Sequence, residues 1–174
     1  MTCKNNIVEC LRNKGIWPDA FSSSIYLNEE RYNPKNVINY SSPSPGYFGS
    51  DNKNDEEWWC IDFQTYVKIK SYKIKAYSEC NYIYRWNIKV SLDGDNWIFI
   101  NNQTGYPGDS VFEITPYPIR FFKITGDNAI CSSNGYLAFL KIYFFGDIFG
   151  VEHSCKIKST TNLLIFTIFL QSTS

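Results

Sequence analysis

The heptapeptide Ser91-Leu92-Asp93-Gly94-Asp95-Asn96-Trp97 brings two carboxylates and a glycine together, the residue types of a calcium loop. A helix-loop-helix calcium loop opening at Asp93 needs oxygen ligands at alternate positions and a glutamate at the twelfth. The twelfth residue is Thr104, so the spacing fails. Asp-Gly between an alternating run and the aromatic Trp97-Ile98-Phe99-Ile100 instead predicts a hairpin turn, in which glycine supplies a positive φ at little cost. The two aspartates then shape the backbone.

Other reactive types are sparse. His153 is the only histidine and lies outside the strand pattern, so a Ser-His or Cys-His pair has no frame to hold it. Neither a glycine-rich phosphate loop nor His-Glu-x-x-His is present. The acid pairs Glu29-Glu30 and Glu56-Glu57 sit in polar segments, where neighbouring carboxylates are read as solvated. We therefore expect no catalysis, no catalytic residues, no bound metal and no cofactor. The cysteines Cys3, Cys10, Cys60, Cys80, Cys131 and Cys155 are spread out with no C-x-x-C pair, which removes zinc-ribbon and redox motifs. Free thiols are expected, or, in an exported chain, a bridge from Cys3 or Cys10 to Cys155.

The elements that must position these groups follow from composition and period. The 174 residues suit one domain, and 17 basic against 17 acidic residues give no net field for nucleic acid or an anionic membrane. Aromatic residues make up 18% of the chain, a bias towards pleated surfaces. Ile7, Val8 and Leu11 share one helical face, with Asn5 or Asn6 to cap it and Gly15 to end it. Strands are predicted at FSSSIYL, WWCIDF, VKIK and YKIKAY, RWNIKVSL, WIFIN, VFEIT, IRFFKIT and YLAFLKIYFFG, about eight in all. The apolar phase shifts from Val67 and Ile69 to Tyr72, Ile74 and Ala76, which calls for a bulge or turn near Ser71. Residues 28–57, rich in Asn, Ser, Pro and acids, read as loop. With no helical crossovers, the class is all-β, an antiparallel β-sandwich jelly roll with a short N-terminal helix. The expected organisation is a helix and lead-in over 1–22, the sandwich over 23–146 and an apolar tail over 147–174. In that tail, Leu163 to Leu170 is too short to cross a bilayer as a helix.

Four motifs in order, WWCIDF, RWNIKVSLDGDNW, IRFFKIT and SSNGYLAFLKIYFFG, resemble the discoidin or coagulation factor V/VIII C-type domain, across Ser23 to Gly146. The local forms YNPKNVIN and NGYLAF look most like intracellular members that accompany BTB-type adaptors. The resemblance implies a galactose-binding-like jelly roll that binds ligands through loops at one end. Many sugar-binding relatives hold a structural calcium through two acidic side chains, and the corresponding positions here are Asn39 and Tyr143, neither a carboxylate. The relatives' ligand loops correspond to SECNYIYR and NAICSSNGY. These carry Asn81, Tyr82, Tyr84, Arg85 and Asn134, the aromatic plates and hydrogen-bonding types that sugars require.

The resemblance thus implies a non-catalytic module for a glycan or a protein segment, the latter in an adaptor or ubiquitin-ligase-type assembly. A membrane-lipid alternative would use Tyr47 and Phe48 as an exposed apolar spike beside Lys68, Lys70, Lys73 and Lys75. A glycan-acting hydrolase would need a second acid facing Glu56 or Glu57. The opening residues contain no apolar signal segment, so a cytoplasmic setting is expected, in which the sequons at Asn39 and Asn102 stay unused.

Overall fold

Alternation of apolar and polar residues becomes strands wherever one face can be buried. The computed structural model describes residues 2–3, 6–41, 46–51, 56–76, 85–105, 107–108, 110–126 and 137–149. In chain order these form β1 (Thr2–Cys3), α1 (Ile7–Arg12), β2 (Asp19–Ser22), β3 (Phe48–Gly49), β4 (Trp58–Lys75), β5 (Arg85–Ser91), β6 (Ile98–Thr104), β7 (Val111–Glu113), β8 (Pro118–Gly126), β9 (Ala138–Phe139) and β10 (Lys141–Ile148). All pairings are antiparallel, in the order β1-β10-β4-β8-β5-β6, with β2 and β7 also on β4 and a separate β3-β9 pair. This is the expected galactose-binding-like jelly-roll sandwich.

Strand β4 serves both layers. Its first part, Trp58–Asp62, lies between β2 and β8, and its second part runs along β10 and β7. The switch falls at Gln64, which has a φ of +59. Asp62 holds it there by accepting from the Gln64 amide at 2.8 Å and from Arg120 Nε and Nη2, each at 2.8 Å. The layers meet through rings: Phe63 packs on Phe144 at 5.1 Å, Phe122 on Phe144 at 5.0 Å and Tyr72 on Phe122 at 5.3 Å. Edge-to-face contacts of this kind add to the burial term that drives collapse.

The phase shift in the lysine-rich strand is a bulge. Ile69 pairs with Gly146 and Ser71 with Phe145, leaving Lys70 without an opposite residue. Gly146 is required there, because a Cβ would lie 2.0 Å from the Lys68 carbonyl oxygen and φ is +153.

Some of these elements follow the sequence reading and others depart from it. The FSSSIYL strand is only β2, ending at Ser22, because the Ser23 and Ser24 hydroxyls turn to Glu57. The loop expected over 28–57 contains 3-10 turns at Glu30–Tyr32 and Pro34–Ile38. Trp59 Nε1 secures the second turn by donating to the Pro34 carbonyl at 3.0 Å. Helix α1 is capped by Asn6, whose Oδ1 accepts from Val8 N at 3.4 Å and from Phe144 N at 3.1 Å. Ile7, Val8 and Leu11 therefore enter the same core as the strands, and β10 runs to Ile148. Cys3 and Cys10 form a disulfide with a Cα separation of 6.4 Å, in place of free thiols or a link to Cys155. Their spacing suits a strand end bridged to the adjoining helix. Cys60 is free and buried, and burial pushes its thiol up to about 12. Cys80, Cys131, Cys155, His153 and the 163–170 run lie outside the described residues.

Candidate ligand-binding site

The acidic heptapeptide is a self-contained turn joining β5 to β6. Ser91 Oγ accepts from the amides of Asp93 and Gly94 at 3.3 and 2.9 Å and donates to Asp93 Oδ1 at 2.9 Å. Asp93 Oδ1 also accepts from Asp95 N and Asn96 N, at 2.9 and 2.8 Å, and Oδ2 from Asn96 Nδ2 at 2.7 Å. Gly94 takes φ +91 over the Phe121 ring. Asn96, through side chain and backbone, with help from Asp95 N and Ser91, holds the Asp93 carboxyl well below the usual range. Both Asp93 oxygens are committed to bending the chain, as the spacing predicts.

Strand ends converge at one pole of the sandwich. Arg85, which opens β5, pairs with Thr104 at the end of β6, and Trp86 pairs with Gly126 at the end of β8. Trp58, at the start of β4, pairs with Thr125. Arg85 is exposed, while Trp86 beneath it is buried and donates from Nε1 to Tyr72 Oη at 2.9 Å. The 77–84 and 127–136 segments leave from these strand ends. They carry Asn81, Tyr82, Tyr84 and Asn134, which lie outside the described residues.

Below this pole is a polar frame that sequence reading missed. Glu57 is buried, and its Oε2 accepts from Ser24 Oγ at 2.6 Å and from Ser23 Oγ. Ser23 Oγ accepts from Trp58 N at 2.9 Å, and Ser24 Oγ accepts from Asp51 N at 2.9 Å. Asp51 Oδ1 accepts from Leu27 N at 3.1 Å, and Ser50 Oγ accepts from Leu137 N at 2.9 Å. Gly126 N donates to the Glu57 carbonyl at 2.8 Å, tying the frame to β8. Of the Glu56-Glu57 pair, only Glu56 is solvated. The serine run in FSSSIYL and the Gly-Ser-Asp at 49–51 were the available signals, and neither names its partner.

The Tyr47-Phe48 spike does not form. Phe48 is fully buried in β3, with its ring 5.6 Å from Phe139, because its backbone pairs with β9 and turns the side chain inward. Tyr47 is half-buried, edge-on to Tyr32 at 4.9 Å. Lys70, on the supposed basic surface, pairs with Asp147 at 2.9 Å.

Residues 39–124 match the family model of the NedA-like, galactose-binding domain. No curated protein sequence matches the chain. Among solved structures, the fold is similar to chitosan-binding module 1 of a chitosanase/glucanase from Paenibacillus sp. IK-5, at TM-score 0.63 and 18% identity over 81% of this chain and 98% of that one. It is similar to a CBM32 module from Clostridium perfringens in complex with GalNAc-β-1,3-galactose, at TM-score 0.62 and 12% identity over 74% and 95%. A fucose-binding module from Streptococcus pneumoniae matches at TM-score 0.60 and 11% identity over 80% and 96%.

The residues at the positions through which sugar-binding relatives hold a structural calcium do not form a set for that ion. Lys141 Nζ donates to the carbonyls of Asn36 and Asn39, each at 2.7 Å, so an ammonium already engages the carbonyl oxygens beside Asn39. Tyr143 stacks on Tyr40, centroids 5.3 Å apart, and offers no carboxylate. Burial lowers the Lys141 pKa. Its charge remains the local cation, linking the Pro34–Ile38 turn to β10.

Proposed function

We propose that the chain is a non-catalytic carbohydrate-binding module that recognises its glycan at the pole bearing Arg85 and the 77–84 and 127–136 segments. The observation that carries this reading is the fold likeness, which spans nearly the whole of a chitosan-binding module, a module in complex with GalNAc-β-1,3-galactose and a fucose-binding module. Local chemistry agrees with it. Exposed Arg85 supplies donors for hydroxyls, and Tyr82, Tyr84, Asn81 and Asn134 are of the types that stack on and hydrogen-bond to pyranose rings. Phe48 in the core removes the lipid spike, and Glu57, engaged by two serines, is a structural acceptor rather than a general acid or base. The Cys3–Cys10 disulfide favours an oxidising compartment over the cytoplasmic setting expected from the sequence.

A glycan array probed with wild type and Arg85→Ala tests the reading. Wild type should retain at least one sugar, and the variant should bind it roughly tenfold more weakly, about 1.4 kcal/mol. Failure of wild type to bind any sugar at millimolar concentration would remove the lectin reading and favour a protein partner.

A further inference from the structure

A concave surface that shares no lining residue with the strand-end pole lies between α1 and the Pro34–Ile38 turn. It is a cleft of about 670 Å³ whose walls include Glu9, Arg12, Asn13, Trp17, Asn39 and Tyr40. We propose that this cleft binds a neutral pyranose, with Trp17 as the stacking plate and Arg12 and Glu9 as donor and acceptor for its hydroxyls.

The size suits a small ligand, since sites for such molecules commonly span about 300–1,000 Å³. Trp17 is 67% exposed, so the indole is open to a partner. The apolar face of a sugar ring is such a partner, and stacking would remove both surfaces from water. Arg12 Cζ lies 5.9 Å from the Trp17 ring centroid and biases the indole's orientation. The donors Arg12 offers a ligand are those of its guanidinium facing the cleft, which it lines together with Glu9. Exposed Glu9 supplies the complementary acceptor. A hydroxyl both donates and accepts, so an Arg-Glu pair on one rim matches a diol better than it matches an anion.

Charge decides the class of sugar. Lys35 also borders the cleft, but its Nζ is bound to Asp19 Oδ1 at 2.9 Å. Arg12 and Glu9 remain and cancel, so no surplus positive charge selects a uronate. The floor is fixed independently, because Cys10 is tied to Cys3 and Tyr40 Oη donates to the Ile142 carbonyl at 2.5 Å. The cleft is therefore preformed, which lowers the ordering cost of binding.

The test is isothermal titration of the full chain with the methyl glycosides of galactose, glucose, N-acetylglucosamine and fucose, with methyl glucuronide as the charged control. Wild type, Trp17→Ala, Trp17→Phe, Arg12→Gln and Arg85→Ala are compared, with thermal melts to confirm folding. One neutral glycoside should bind wild type, Trp17→Ala and Arg12→Gln should each weaken it at least tenfold, and Trp17→Phe should stay within a few-fold. Unchanged binding in both Trp17→Ala and Arg12→Gln would overturn the cleft site while leaving the strand-end reading intact. A loss in those variants with none in Arg85→Ala would support the cleft and count against the strand-end pole. Binding of the glucuronide alone would overturn the assignment to neutral sugars, and absence of binding by wild type would overturn both sites.

Discussion

The frame beneath Arg85 and the cleft beside α1 are both built from polar and aromatic groups, yet they use them differently. In the frame, Glu57, Ser23, Ser24, Ser50 and Asp51 are bound to one another or to backbone amides, so their chemistry goes into holding strand ends in place. In the cleft, Trp17 is mostly exposed, with Arg12 and Glu9 on the same wall. The same contrast separates two tryptophan-cation arrangements. Lys123 Nζ lies 3.7 Å from the Trp97 ring centroid and 5.0 Å from that of Trp58, a closed stack on the outer sheet face, whereas Arg12 stands further from an open Trp17. Side-chain type alone does not mark a binding group; what matters is whether the fold has already used it.

This contrast yields graded expectations for stability. Glu57→Ala should cost most, about 2–3 kcal/mol in urea unfolding, because two serine hydroxyls lose a charged acceptor in a buried setting. A loss below about 0.5 kcal/mol would mean that the frame holds nothing. Lys141→Met should cost about 1–2 kcal/mol by unstapling the Pro34–Ile38 turn from β10. Neither calcium nor a chelator should move the wild-type melting temperature, and a calcium-dependent rise would show that the ammonium does not stand in for a metal. Trp97→Ala should cost about 1 kcal/mol from the lost cation-π stack, while Trp17→Ala should stay within about 0.5 kcal/mol. Equal losses at the two tryptophans would erase the distinction between used and spare groups.

The smallest effect concerns pH. Asp93 has a folded pKa below its unfolded value of about 3.9, so its contribution is fully present above that value and declines as pH falls through the folded pKa. The stability gap between wild type and Asp93→Asn should be constant near neutrality and shrink in acid. A gap that widens as pH falls would reverse the assigned role of the carboxylate.

What was legible in the sequence was local. The turn at Ser91–Trp97 could be read because Asp93 bonds only to residues within three positions of itself. The bulge could be read because an extra residue inverts the apolar phase, and Lys70 lies beside the Ser71 named by that inversion. Long-range pairings were not legible. Lys141 meets Asn36 and Asn39 across 105 and 102 residues, and nothing in LKIY announces two carbonyls as partners. Glu57 differs from Glu56 only by facing two serines 33 and 34 positions earlier. Phe48 looked like a loop spike because a two-residue strand is too short to show alternation. At the strand-end pole, the sequence indicated Arg85 and the flanking strand ends, but not the frame beneath them.

The most direct measurement of the central claim is backbone amide chemical-shift mapping on titration with the strongest glycan from the array. The expected result is a contiguous set of perturbed amides at the strand-end pole, including Arg85, Trp86, Thr104 and Gly126, separate from any set around Arg12 and Trp17 in the cleft, with the Ser91–Trp97 turn unmoved. Perturbations confined to that turn or to the outer sheet face around Trp97 and Lys123, or no perturbation at millimolar glycan, would contradict it.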